Sequence, residues 1–131
     1  MNTFEAQILT PNGSLFDDEV VGVQVPGAQG GFEVKVNHAS IVSALDIGRV
    51  RVRRSDNSEE LFAVSGGFVE VNDNKLTLLA ESAESRSDID VQRAQEARDR
   101  ALDHLNEKDA DKERARKALQ RANNRLSIAE G

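Results

Sequence analysis

Residues 30–48 read GGFEVKVNHASIVSALDIG. Phe32, Val34 and Val36 alternate with Gly31, Glu33 and Lys35, the two-residue period of a strand buried on one face. The glycines at either end permit abrupt chain reversals. Between this strand and a short apolar patch, Ile41-Val42 with Ala44-Leu45, lies the polar tip Asn37-His38-Ala39-Ser40. A polar tip between two anchored flanks is how a scaffold presents a contact surface.

The same period extends outward in both directions. Toward the N-terminus, Phe4, Ala6 and Ile8 alternate with Glu5, Gln7 and Leu9, Pro11-Asn12-Gly13 turns the chain, and Val21, Val23 and Val25 share one face of a further strand. Beyond Gly48, Val50 and Val52 alternate with Arg49, Arg51 and Arg53, which describes a strand with one wet, basic face. Asp56-Asn57-Ser58 is a hairpin tip with Leu61 to Val64 as its return. Ser65-Gly66-Gly67 interrupts the pattern before Phe68, Val69 and Val71, and Asn72-Asp73-Asn74 turns into a strand over 75–80. Eight to ten short strands in the first 84 residues are too many for one flat sheet and enough for two packed layers. Gly66-Gly67 reads as a bulge or as a place where one sheet closely approaches another. It is not a phosphate cradle, because no GxxxxGK pattern or following helix accompanies it.

Period two ends near Ala80, and the composition shifts to Ala, Arg, Glu, Asp and Leu. Residues 82–87 read as a hinge-like connector, with Ser87 and Asp90 forming an S-x-x-D capping box. Val91, Ala94, Arg98, Ala101, Leu102 and Leu105 then recur at three- and four-residue steps, predicting a helix that ends near Leu105 or Asn106. Residues 106–109 make a short turn, and Ala115, Ala118, Leu119, Ala122, Leu126 and Ala129 line a second helix. So short a connector favours an antiparallel hairpin. The expected division is therefore 1–84, a β-sandwich, and 85–131, a helical hairpin. An alanine seam buries little area, so this hairpin is expected to hold only weakly to the sandwich.

Composition removes several function classes. The 131 residues suffice for one ordinary domain or a small core with an appendage, not for paired cofactor and substrate domains. No cysteine is present, which excludes disulfides and thiolate chemistry, and the two histidines, His38 and His104, lie in contexts too unlike for a metal site. His38 has Ser40, Ser43 and Asp46 near it in sequence but no recognised nucleophile and base arrangement, so no catalytic residue is expected. The net charge of -6 divides unevenly, with 6 basic and 13 acidic residues in 1–84 against 11 and 10 in 85–131. Neither half offers the basic field and stacking aromatics that nucleic acid requires. The first residues carry no basic lead and no run approaches 18 apolar residues, so the expectation is a soluble, intracellular protein that reaches a membrane only through a partner.

FEAQILTPNGSLFDDEV at the start, NHASIVSAL in the middle, AVSGGFVEVNDNKLTLLAESAE and IDVQRAQEA together resemble the epsilon subunit family of F-type ATP synthases over essentially the whole chain. The resemblance implies a β-sandwich of about ten strands followed by an antiparallel α-helical hairpin. It implies a non-catalytic central-stalk subunit of a proton-translocating enzyme on the cytoplasmic face of the bacterial inner membrane. Its partners there would be the gamma subunit, the membrane c-subunit ring and, when the hairpin extends to inhibit ATP hydrolysis, the alpha and beta subunits.

By motif, Asn37, His38 and Ala39 correspond to the family's ring-facing loop. The family's Pro-Gly-His-Ala-Pro is here Val36-Asn37-His38-Ala39-Ser40, and two fixed φ values are lost with the prolines. Ile89, Asp90, Arg93 and Ala94 match the IDxxRA motif, which in some members belongs to a site for ATP as a regulatory ligand. Arg100, Arg121 and Arg125 are the further arginines of that expectation. The same motif also reads as a cap and packing signal, because Asp90 stands at a helix start. The alternative function is a free-standing ATP-binding sensor module, supported by the arginines and opposed by the missing glycine-rich phosphate loop.

Overall fold

The computed structural model describes residues 2–130. Eight strands come first: β1 (Phe4–Thr10), β2 (Gly13–Val20), β3 (Gly22–Val25), β4 (Phe32–Val34), β5 (Ile41–Arg53), β6 (Glu59–Asn72), β7 (Lys75–Ala80) and β8 (Ala83–Ser85). A 3₁₀ turn at Arg86–Asp88 leads into α1 (Val91–Asn106) and α2 (Lys112–Glu130). The strands hydrogen-bond in the order β2-β1-β7-β6-β5-β3-β4, with β8 also on β6. All neighbours are antiparallel except β1 and β7.

The count is eight rather than ten because β5 and β6 pass unbroken through the glycines that divide their sequences. Leu45 pairs with Gly67 and Ile47 with Ser65 in one continuous register, and β6 keeps a single register along β7 and β8. No extra residue is inserted, so Gly66-Gly67 is not a bulge. The close approach at Gly67 is between the neighbouring strands β6 and β7 of one sheet, not between two sheets. Both glycines adopt positive φ, 109° and 130°, and a Cβ on Gly67 would lie 2.0 Å from the Leu79 carbonyl oxygen.

This conformation shifts which side chains face inward. Phe62 and Val64 are buried before the glycines and Val69 and Val71 after them, so the inward set changes from even to odd positions. β5 makes the matching change between Leu45 and Val50. The sheet is thereby folded where the inward set changes, at Gly66-Gly67 in β6 and between Leu45 and Val50 in β5. One layer holds β2, β1, β7 and the adjoining halves of β6 and β5. The other holds β8, the remaining halves, β3 and β4. Phe4, Ile8, Val20, Val23, Val34, Val52, Leu76 and Leu78 fill the space between, and Phe16 meets Phe62 across it edge to face at 5.8 Å.

The hairpin lies outside this core. Ala94 and Ala101 of α1 and Ala115 and Ala122 of α2 are buried along the seam, which lets the helices approach closely. Ile128 and Ile89 pack with Ala63 on the outer face of the second layer as a separate apolar cluster. The helix start differs from the expected capping box. Asp90, not Ser87, is the N-cap, its carboxylate accepting the Arg93 amide at 3.1 Å, while Ser87 sits in the 3₁₀ turn. The connector is likewise partly strand, since β8 pairs with Phe62–Val64.

Candidate functional site

Three surfaces carry the residues of interest. At one end of the sandwich the β4–β5 loop crosses the β6–β7 turn. Asn37 has φ 61°, and its amide donates to Asn74 Oδ1 at 2.6 Å while Asn74 Nδ2 donates to Asn37 Oδ1 at 3.2 Å. Ser40 Oγ donates to Asn72 Oδ1 at 3.2 Å. His38 Nδ1 donates to the Ala39 carbonyl at 2.7 Å, and its ring stacks on Phe32 with centroids 6.3 Å apart. The two prolines absent from the loop are thus replaced by side-chain bonds to a neighbouring turn.

The second surface is the outer face of the first layer. The register aligns Leu9, Leu79, Phe68 and Ala44 in one row across β1, β7, β6 and β5. Val42 stands near it, and Val42, Phe68 and Leu79 are 67%, 58% and 53% exposed. Sequence reasoning took these residues as strand positions only. Their signal was local, in that IVSAL and KLTLLA carry apolar residues on both strand faces instead of one.

The third surface is a cleft of about 850 Å³ between the hairpin and the second layer. Arg100, Arg121 and Arg125 line it together, and Arg114, His104, Glu84, Glu107 and Asp111 join them. The last five were not foreseen, because the hairpin's rotation on the sandwich leaves no local mark. Arg125 Nε pairs with Glu84, whereas Arg100, Arg114 and Arg121 have no ion-pair partner among the described residues. Ile89, Asp90, Arg93 and Ala94 do not line the cleft. In this conformation Ile89 packs against the sandwich, Asp90 caps α1, Ala94 is buried in the seam and Arg93 is exposed.

Among the described residues, one face of the sandwich exposes apolar side chains and one end presents a hydrogen-bonded polar loop and turn. Fold and surfaces therefore define a docking subunit, a sandwich with exposed apolar surface and a helical hairpin packed outside its core. Two family models cover the chain: the β-sandwich domain of the ATP synthase delta/epsilon chain over residues 3–86, and its long α-helix domain over residues 87–130. The ATP synthase epsilon chains of Staphylococcus saprophyticus and Bacillus pumilus are 45% and 43% identical, each aligned over 98% of both chains. Similar folds occur in the Euglena gracilis mitochondrial ATP synthase (TM-score 0.87, 19% identity, 100% of this chain and 83% of that one) and in the central stalk and c-ring of the Tetrahymena thermophila enzyme (0.69, 15%, 95% of each). The chain belongs to the ATP synthase epsilon chain family, whose members are non-catalytic subunits of that enzyme.

Proposed function

We propose that this chain is the central-stalk subunit coupling the rotating membrane ring to the catalytic head of an F-type ATP synthase, held peripherally on the cytoplasmic face of a bacterial inner membrane. The observation that carries the reading is the row Leu9, Leu79, Phe68 and Ala44 with Val42 beside it, in which Leu9 is half-buried and the others are exposed. Contiguous apolar surface of this kind on a soluble scaffold marks a protein contact. The gamma subunit is its occupant, and the Asn37-His38-Ala39 loop meets the c ring. The hairpin, weakly attached, regulates the rotor by leaving the sandwich for the alpha and beta subunits.

Replacing the anchors tests this. Phe68→Asp with Leu79→Asp is expected to weaken binding to the gamma subunit at least a hundredfold, since each buried aromatic or leucine anchor is worth about 2 kcal/mol. The circular dichroism of the free chain stays unchanged, because both side chains already face water. Unaltered gamma binding overturns the reading.

A regulatory nucleotide is the second part of the proposal, favoured by Arg100, Arg114 and Arg121 of the cleft, which have no ion-pair partner among the described residues. Guanidinium groups from both helices suit a polyphosphate, which would tie α1 and α2 to the sandwich and hold the hairpin down. Calorimetric titration with ATP is expected to lose its signal in Arg100→Ala and Arg121→Ala and to keep it in Arg93→Ala, which lies outside the cleft. No heat at millimolar ATP sinks this part.

A further inference from the structure

Asn74 joins three segments through one residue. Its backbone carbonyl accepts the Glu5 amide at 3.1 Å, its Oδ1 accepts the Asn37 amide, and its Nδ2 donates to Asn37 Oδ1. Asp73 and Asn74 both have positive φ, 49° and 59°, the geometry of the two central residues of a type I′ hairpin turn. Asn37 is also left-handed, a conformation uncommon outside glycine that asparagine tolerates better than most residues. Such a conformation persists where its surroundings over-determine it, and the reciprocal amide pair with Asn74 is that restraint. Asn72 supplies a second tie by accepting from Ser40.

Held at both ends, the loop fixes His38. A carbonyl can only accept, so Nδ1 donates to Ala39, and in the tautomer this fixes for a neutral imidazole Nε2 is the acceptor. The Phe32 ring beneath limits its rotation. Loop and turn are then a single platform, not two loops that happen to touch.

We propose that Asn74 is a positioning residue for the β4–β5 loop, and that the platform presents His38 Nε2 to an N–H donor on the ring. The second clause rests on the ring-contact reading above; the first does not. Asn74→Gly is the informative variant, because glycine keeps the left-handed turn and removes only the amide. In the free chain, hydrogen exchange at the Asn37 amide is expected to rise about tenfold with the loss of its acceptor. In assembled gamma–ring complexes, Asn74→Gly and His38→Ala are each expected to weaken binding about tenfold. Asn57→Gly, at the opposite end of β5 and β6, changes neither measurement.

The outcomes separate cleanly. Unchanged exchange at Asn37 in Asn74→Gly overturns the positioning role, whatever the ring binding does. Faster exchange with ring binding unaffected in both variants keeps the positioning role and overturns the ring-contact reading. Faster exchange with weakened binding supports both, and His38→Gln, which retains an acceptor, then recovers more of the binding than His38→Ala.

Discussion

Gly67 and Gly31 look alike in sequence, each the second of a glycine pair, yet they answer to different constraints. At Gly67 a methyl group meets the Leu79 carbonyl oxygen at 2.0 Å and φ is 130°, so both space and backbone oppose it. Gly67→Ala is expected to destabilise by about 3 kcal/mol in urea unfolding. Gly31 has no such φ, and its nearest neighbour would be the Val25 carbonyl oxygen at 3.4 Å. Gly31→Ala should therefore fall within about 0.5 kcal/mol of the parent, on the stabilising side if unfolded-chain entropy dominates. Asp56 offers a charge test at the same scale. The Ser58 hydroxyl and amide, 2.6 and 2.9 Å away, hold its carboxyl below the usual carboxylate range. A depressed folded pKa adds stability above the unfolded value of about 3.9 that is lost as pH falls through the folded value. In Ser58→Ala the Asp56 resonance should titrate at higher pH than in the parent, and an unmoved midpoint contradicts the assignment.

Elements were legible where their signal is local. Alternation marked the strands, and apolar steps of three and four marked helices that end where Leu105-Asn106 suggested. The parallel pairing of β1 with β7, whose partners such as Glu5 and Lys75 lie 70 residues apart, has no local signature, and neither has the three-residue strand β8. The change of inward set across Gly66-Gly67 was written in Phe62, Val64, Val69 and Val71, but it acquires meaning only once the register is known. The candidate surfaces divide the same way. His38 was visible as a polar tip, whereas Asn72 and Asn74 read as turn residues because the loop they hold lies more than 30 residues away. The hairpin adds a case of conflict between elements. Lys112 opens α2, where a cation opposes the helix dipole, yet its ammonium donates to the Leu105 and Glu107 carbonyls that end α1. It therefore serves the other helix, and only while the hairpin is closed. Lys112→Met should weaken the hairpin by about 1 kcal/mol, seen as earlier loss of helical signal on heating, with the strand signal untouched. Equal melting of both proteins removes the role.

At the scale of the whole molecule, the hairpin and the sandwich share little. Ile89 and Ile128 on Ala63, flanked by Leu61 and Ala129, form a cluster separate from the main core. Asn124 Nδ2 donates to the Gly48 carbonyl at 2.8 Å, and Arg125 pairs with Glu84. A docked helix pair with one small apolar contact and two polar bonds can detach without opening the interior that stabilises the sandwich, and two such states need differ by only a few kcal/mol. Ile128→Asp sets a charge against that contact, and the loss of a buried isoleucine, about 2–3 kcal/mol, suffices to move a bound majority to a free one. A donor and acceptor dye on residues 49 and 120 should then separate, while the urea midpoint of the strand signal stays where it was. In the reassembled enzyme the same substitution should lower ATP hydrolysis if the freed hairpin reaches the head. Unfolding of the sandwich together with release of the helices would mean that the two parts stabilise one another, and the detachable regulator would have to be given up.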